Sequence, residues 1–188
     1  MSSELRVDKI VPTGGVPSGG GGGIVQVVQT AKTDTWASDM ATYFPNFQEV
    51  TGLNVSITPK FSSSKLLVTA SVNFSTAYWQ GFGQLWRGIG GATRSVLNAA
   101  TGDAAGSRPR YTFTNLQYAG SVQANNQYHG SVNFLDSPNT TQSVSYSIAL
   151  RTYNSSYSAY VNRNYDDRDQ TDYYGRQIST ITVMEVSA

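Results

Sequence analysis

Apolar and polar residues alternate with a period of two in several short segments of this chain. In residues 66–74 the apolar positions are Leu66, Val68, Ala70, Val72 and Phe74. In residues 144–150 they are Val144, Tyr146, Ile148 and Leu150, and residues 53–58 repeat the pattern. Such alternation places one face of a strand in a core and the other in solvent, which is typical of antiparallel sheets.

Turn-forming residues separate nine segments with strand character. The remaining predicted strands cover residues 24–30, 82–89, 109–116, 128–135, 157–162 and 177–186. One turn of helix is expected over residues 37–43. Nine short strands at this spacing predict an all-β fold, an antiparallel β-sandwich that is jelly-roll-like.

The last predicted strand becomes apolar on both faces toward its end, from Ile181 to Val186. A strand at a solvated sheet edge would not have this pattern. Two interpretations remain open. Either it is a central strand between two packed layers, or one of its faces meets a neighbouring subunit.

The first 23 residues differ from the rest of the chain. Residues 12–23 are mostly Gly and Pro, which can neither form a stable helix nor bury a core. A short apolar and charged tag precedes this strap, and its apolar side chains are Leu5, Val7, Ile10 and Val11. We therefore expect residues 1–23 to be an extended docking tag and strap, and residues 24–188 to be the sandwich domain.

Composition narrows the range of partners. Charged residues make up only 13% of the chain, apolar residues 39%, and the net charge is +1 without a basic block. Proteins that bind duplex nucleic acid carry clustered positive charge, which this composition lacks. There is no cysteine, no stretch long and apolar enough for membrane insertion, and no apolar secretory signal at the N-terminus, so synthesis in a cytoplasm is expected.

Catalytic and metal chemistry have few candidates. His129 is the single histidine, and it falls on the polar face of a predicted strand, with no nucleophile or carboxylate assigned to it. A zinc site needs four ligands, mostly histidine and cysteine, and this chain has one histidine and no cysteine. We therefore predict no catalytic residue, no metal ligand, no cofactor and no enzymatic activity.

The densest carboxylate cluster is the segment from Asp166 to Asp172. A solvated loop with local arginine pairing is the favoured interpretation. A calcium site is an alternative, since calcium takes six to eight oxygen ligands, although the spacing of a calcium-binding loop is missing. Glycoside hydrolysis is a further alternative that needs two carboxyl groups across a sugar.

Aromatic side chains collect in predicted loops. Tyr and Trp supply rigid, amphipathic contact area and also stack on sugar rings. The candidate receptor-contact residues are Tyr78, Trp79, Tyr165, Tyr173 and Tyr174. Packing within loops or between subunits is the alternative for all five, whereas Tyr146 is expected in the core.

Six blocks of the chain together carry a resemblance to a known family, and they are residues 3–12 with the strap at 14–17, residues 24–30, 52–68, 102–108, 134–138 and 178–185. These blocks resemble tail-fibre-like virion structural proteins of marine and cyanobacterial tailed phages. The resemblance implies a virion location, no catalytic residues, and an N-terminus that docks on another virion protein. It does not distinguish a position on the tail from one on the capsid.

Together these features predict a short fibre whose β head projects from the particle and adheres to a host-surface glycan or protein. A homotrimer is expected, because heterologous contacts around a threefold axis form a closed ring of subunits. A neighbouring subunit would also cover exposed sheet edges. Capsid decoration or cement, or a head fibre, is the alternative. A polysaccharide depolymerase and a free carbohydrate-binding module are further alternatives.

Overall fold

A computed structural model describes residues 23–77, 80–115 and 126–187, and it contains two antiparallel sheets. Sheet A consists of β1 (Ile24–Lys32), β2 (Trp36–Ala37), β4 (Lys65–Thr76), β8 (Tyr128–Asp136), β10 (Ala159–Val161) and β11 (Ser179–Val186). Sheet B consists of β3 (Gln48–Ile57), β5 (Gly81–Ile89), β6 (Ser95–Val96), β7 (Phe113–Thr114) and β9 (Val144–Thr152). Helix is limited in these ranges to α1 (Met40–Tyr43) and a 3-10 turn at Asn98–Ala100. The predicted all-β sandwich is confirmed.

The strand order follows from the pairings. The long strands of sheet A lie in the order β1, β11, β4, β8, and the short β10 and β2 extend the sheet beside the end of β4. Sheet B has the order β3, β9, β5, with β6 and β7 both on the outer side of β5. Successive long strands alternate between the two sheets, and the two-residue strands β6 and β7 follow β5 within sheet B. This double Greek-key connectivity is that of a jelly roll.

The core lies between the sheets and is built from the alternating positions. All of the apolar residues predicted to face inward in residues 66–74 and 144–150 are buried, and Tyr146 is fully buried among them. Strand β11 is central in its sheet, between β1 and β4. Its residues Ile181 and Val183 face the core, whereas Met184 is half-buried on the outer face of sheet A.

The predicted strand at 109–116 is much shorter in the structure, where only Phe113–Thr114 pair with β5. Side-chain hydrogen bonds take the place of ladder bonds there. Gln84 Nε2 donates to the carbonyl of Arg110 at 2.6 Å, and the backbone N–H of Leu85 donates to Thr112 Oγ1 at 3.0 Å. The helical turn is confirmed in shortened form, with Asp39 capping it through the N–H of Thr42 at 3.3 Å.

A buried carboxylate ties the end of β11 to a neighbouring loop. Glu185 accepts the backbone N–H of Lys60 at 2.8 Å and that of Phe61 at 3.3 Å, and Gln26 Nε2 donates to its other oxygen at 2.6 Å. Burial alone would raise the pKa of Glu185. The hydrogen bonds outweigh burial, so its pKa lies below the ordinary value of 4.5.

This arrangement predicts acid sensitivity. A carboxylate whose pKa is lowered by folding stabilises fully above its unfolded pKa, and that stabilisation is lost as pH falls through the folded pKa. Glu185→Gln should lower the free energy of unfolding at pH 7 by about 1–3 kcal/mol, because the backbone N–H groups of Lys60 and Phe61 lose a charged acceptor. It should also flatten the decline of wild-type stability below about pH 4.5. Urea denaturation at pH 7 and pH 3 measures both effects, and parallel pH slopes for the two proteins would contradict the assignment.

Candidate functional site

The two ends of the sandwich carry different parts of the chain. At one end, here named the leader end, β1 begins at Ile24 opposite Val186 of β11. Gly23 donates its N–H to Ser187 Oγ at 3.1 Å, so the leader of residues 1–22 joins the sheet beside the C-terminal residues. The connections 58–64, 90–94 and 137–143 lie at the same end.

The opposite end, here named the loop end, carries the remaining connections between long strands. Those that the structure describes in full are residues 33–47, 153–158 and 162–178. Three of the predicted receptor-contact residues, Tyr165, Tyr173 and Tyr174, belong to the last of these connections. Tyr78 and Trp79 lie outside the described residues, as do the predicted docking residues Leu5, Val7, Ile10 and Val11.

An asparagine at the start of connection 162–178 fixes it to the sheet. Asn162 is fully buried and has a φ of 61°, a left-handed conformation that asparagine tolerates better than most residues. Its Nδ2 donates to the carbonyls of Lys32 at 2.7 Å and Asp34 at 3.0 Å. Ser179 Oγ donates to its Oδ1 at 2.7 Å, so both ends of the connection are joined through one side chain.

The carboxylates of this connection are paired with arginines. Asp167 lies 3.2 Å from Arg163 and 2.6 Å from Arg176, and Asp166 pairs with Arg168. The interpretation of a loop with local arginine pairing is confirmed. Within residues 23–77, 80–115 and 126–187, no group of three or more histidine or acidic side chains is placed to hold a metal ion.

The three described tyrosines of this connection have different surroundings. Tyr165 is half-buried, with its ring centroid 5.8 Å from that of Tyr160, and Arg163 stacks over Tyr160 at 4.1 Å. Tyr173 is 62% exposed. Tyr174 lines a depression of about 340 Å³ beside Arg176. The structure therefore exposes Tyr173 at the loop end, whereas Tyr165 and Tyr174 are both half-buried.

His129 is exposed on the outer face of sheet A, as predicted. Its Nδ1 lies 3.2 Å from Asn73 Oδ1, and Asn73 in turn donates through Nδ2 to the carbonyl of Ile178 at 2.6 Å. Among the described residues no carboxylate or hydroxyl is hydrogen-bonded to the imidazole. The described surroundings of His129 thus lack the partners of a hydrolytic triad.

A second surface, which the sequence pattern did not predict, is a groove on the outer face of sheet B. Leu85 of β5 faces the core, so Gln84 and Trp86 face outward. Two depressions of about 400 Å³ and about 390 Å³ share Phe47, Trp86 and Arg94 as lining residues. The aromatic groove, as we name it, runs across the strands from Thr51 and Asn54 of β3 to Ser95 and Val96 of β6.

The aromatic walls of this groove are held in place by long-range contacts. The guanidinium of Arg151 lies 5.3 Å from the ring centre of Phe47 and 5.1 Å from that of Phe82, and it donates to the carbonyl of Pro45 at 2.9 Å. Burial lowers the pKa of Arg151 below its ordinary value. Trp86 Nε1 donates to Gln84 Oε1 at 3.0 Å. The alternation of β5 places Trp86 on the outer face of the sheet, so the sequence contained a signal for Trp86. Phe47 precedes β3 and had no such signal.

A third surface is an apolar row on the outer face of sheet A, near the leader end. Four outward residues lie directly opposite one another on successive strands, and they are Val27, Met184, Leu67 and Leu135. Val27 and Leu135 are each 54% exposed. The other outward positions of these strands are mostly Ser, Thr, Asn and Gln. A contiguous exposed apolar patch of this kind often marks an interaction surface.

Comparisons with known proteins give little further information. No family model and no curated protein matches the chain. Its fold is similar to a chain in the structure of infectious bursal disease virus Gt strain, with 12% identity, a TM-score of 0.38, and coverage of 86% of this chain and 40% of that one. The Gx strain structure gives 12% identity, a TM-score of 0.39, and coverage of 100% and 41%.

The chain therefore spans about 40% of the length of these similar structures. TM-scores this low carry no weight for the function. In the described part of the chain, no helix is long and apolar enough to cross a membrane.

Proposed function

We propose that this protein is a non-enzymatic structural component of a tailed-phage virion. Residues 1–23 dock on another virion protein, and the β-sandwich projects from the particle as the head of a short fibre. The head adheres to the host surface. The resemblance of the sequence to tail-fibre-like virion proteins supports this assignment, and the jelly-roll connectivity is compatible with it.

The separation of the two ends is the observation that carries the proposal. The leader joins the sandwich at Gly23, beside Ser187, whereas connection 162–178 ends at the opposite end of β11. The 8 residues of β11 correspond to a distance of about 26 Å. A protein that is anchored by one end and contacts a host with surfaces away from that anchor needs this arrangement.

The state of the carboxylates supports a role without catalysis. Glycoside hydrolysis uses one carboxyl group as an acid and a second as a base or nucleophile. Asp166 and Asp167 are instead paired with arginines, and their neighbours Asp169 and Asp172 are exposed. The ion pairs of Asp166 and Asp167 are consistent with a role in stabilising the loop.

The leader supplies the sharpest test. A variant lacking residues 1–22 retains every described strand, so it should fold but be incorporated into particles at least tenfold less than the wild type. Quantitative immunoblotting of purified particles measures incorporation, and circular dichroism checks the fold. A variant that lacks only glycines 19–22 is the matched control, since it keeps the apolar tag, and it should be incorporated normally. Wild-type incorporation of the leaderless variant would overturn the docking role.

The apolar row favours a homotrimer. Contact with a second copy of the chain would remove the side chains of Val27 and Leu135 from water. Repeated around a threefold axis, such a heterologous contact forms a closed ring of three subunits. Subunit association would also cover the free edge of β8, which pairs only with β4 in the described sheet.

Charge in this row should break the trimer. Leu135→Lys places an ammonium group at a position that is exposed in the single chain, so we expect a folded monomer in light scattering where the wild type is a trimer. Ser131→Lys, on the same face of the same strand but outside the row, should remain trimeric. A Leu135→Lys protein that stays trimeric would show that the row is not the subunit interface.

Capsid decoration is the second candidate, because the apolar row on the face of sheet A is also suited to contact with capsid proteins. It makes a different prediction for the same variant. A cementing protein would be monomeric before and after Leu135→Lys, and the substitution would lower its incorporation into particles.

A further inference from the structure

We propose that the aromatic groove on the outer face of sheet B binds a neutral glycan chain, with Trp86 as the stacking platform. The inference deepens the adhesive role proposed above by naming the class of receptor and the surface that contacts it. It places the principal contact on the sheet and leaves the tyrosines of the loop end outside it.

The shape of the groove suits a linear ligand. Its two depressions, of about 400 Å³ and about 390 Å³, lie side by side and share Trp86, Phe47 and Arg94. The lining crosses from β3 over β9 and β5 to β6, which is three inter-strand gaps. At the usual spacing of neighbouring strands the groove is about 14 Å long. Two similar depressions on one aromatic platform favour a chain of repeating units over a single compact molecule.

The chemistry of the lining favours sugars. The flat, half-buried ring of Trp86 offers an apolar face, and pyranose rings present apolar C–H faces of matching shape. Side chains that both donate and accept hydrogen bonds lie beside it, namely those of Asn54 and Thr51. Asn54 makes no side-chain hydrogen bond within the described part of the chain, so its amide is available for ligand hydroxyl groups.

The charge of the groove argues for a neutral ligand. Arg94 is paired with Glu49, with Arg94 Nε at 3.0 Å from Glu49 Oε1. Both side chains line the groove, so their charges cancel there. The remaining cation nearby, Arg151, is engaged with Phe44, Phe47 and Phe82. An anionic polymer such as nucleic acid would find no uncompensated positive charge in the described lining.

The groove is also preorganised, which reduces the entropic cost of binding. Phe47 is fixed by the Arg151 guanidinium, and Trp86 is fixed through its indole N–H on Gln84. Gln84 is anchored in turn by its hydrogen bond to the carbonyl of Arg110. Beneath this platform, Ser147 lies in register between Asn54 and Trp86, and its buried hydroxyl has no partner among the described residues.

The test uses the full-length protein on an array of bacterial O-antigen and capsular polysaccharides, both neutral and anionic. We expect the wild type to bind one or more neutral polysaccharides and no anionic one. Trp86→Ala should reduce that signal at least tenfold, and Asn54→Ala should reduce it several-fold with less risk to folding. Tyr173→Ala, an exposed aromatic of the loop end, is the matched control and should bind as the wild type does.

A second readout follows the tryptophan itself. The indole N–H resonance of Trp86, assigned from its absence in Trp86→Phe, should shift when the polysaccharide that scored on the array is added. Three results would overturn the inference: no binding to any neutral polysaccharide, loss of binding in Tyr173→Ala with retention in Trp86→Ala, or dissociation of an oligomer by Trp86→Ala. The first two would leave leader-dependent incorporation intact, so failure of the groove and failure of the virion role are distinguishable.

Discussion

Asp136→Ala is expected to lower the free energy of unfolding by about 3–5 kcal/mol, because it removes one partner of a buried charge network. Asp136 belongs to β8 of sheet A and is almost fully buried. It accepts two hydrogen bonds from Arg87 Nη1, at 2.8 and 2.7 Å, and one from the hydroxyl of Tyr146 at 2.6 Å. Both donors belong to sheet B, so this carboxylate joins the two layers.

The cost arises mainly from the groups left behind. Tyr146 is fully buried, and burial followed by its hydrogen bond to Asp136 raises the pKa of its phenol, which keeps it a neutral donor. Without Asp136 the Tyr146 hydroxyl has no acceptor among the described residues, and Arg87, whose side chain is 27% exposed, loses its carboxylate partner. Retaining an acceptor should recover part of the loss, so Asp136→Asn should fall between Asp136→Ala and the wild type.

Chemical denaturation of the three proteins measures these differences. Asp169→Ala is the matched control, an exposed carboxylate for which we expect a change within about 0.5 kcal/mol. A loss below about 1 kcal/mol for Asp136→Ala, within the range of ordinary surface positions, would mean that the network does not join the sheets.

Substitution of Gly83 or Gly130 by alanine should each destabilise the protein by about 3 kcal/mol, at the upper end of the usual cost of overpacking. These glycines belong to β5 and β8, and the ring of Phe113 lies between them. A Cβ added at Gly83 would lie 2.2 Å from Phe113 Cζ, and one at Gly130 would lie 2.4 Å from Phe113 Cδ2. The ring cannot shift freely, because it also packs edge-on against Phe74, with the two ring centroids 5.8 Å apart.

The cause of the effect can be tested by a second substitution. In a Phe113→Leu background the smaller side chain should absorb much of the added methyl group, so the cost of Gly83→Ala should fall by at least half. Gly102→Ala, where nothing lies within 4 Å of the added atom, should leave stability nearly unchanged. Thermal denaturation followed by circular dichroism compares the set, and an additive double mutant would disprove the contact with Phe113.

The long strands and their inward faces could be predicted from the sequence because each is specified by local alternation. Strands β4 and β9 are of this kind, and their apolar positions enter the core as expected. The two-residue strands β2 and β6 could not be found, since neither has a pattern of its own and each exists only by pairing with β10 or β5.

The sites divide in the same way. Arginine pairing in this segment was predictable because Asp166 and its partner Arg168 are only two residues apart. The aromatic groove was not predictable, because Phe47 reaches it only through its contact with Arg151, more than one hundred residues later in the chain. The packing of the Tyr165 ring against Tyr160 similarly depends on the path of the chain after β10.

The central claim is that the sandwich is held by its leader end and presents its other surfaces away from the particle. Because the chain contains no cysteine, a single introduced cysteine gives a unique label. Asp169→Cys marks the loop end and Thr141→Cys marks the leader end, both at exposed positions. On intact particles, a bulky maleimide reagent should label Asp169→Cys at least tenfold faster than Thr141→Cys, whereas the two free proteins should react alike. Equal or reversed labelling on the particle would contradict the account.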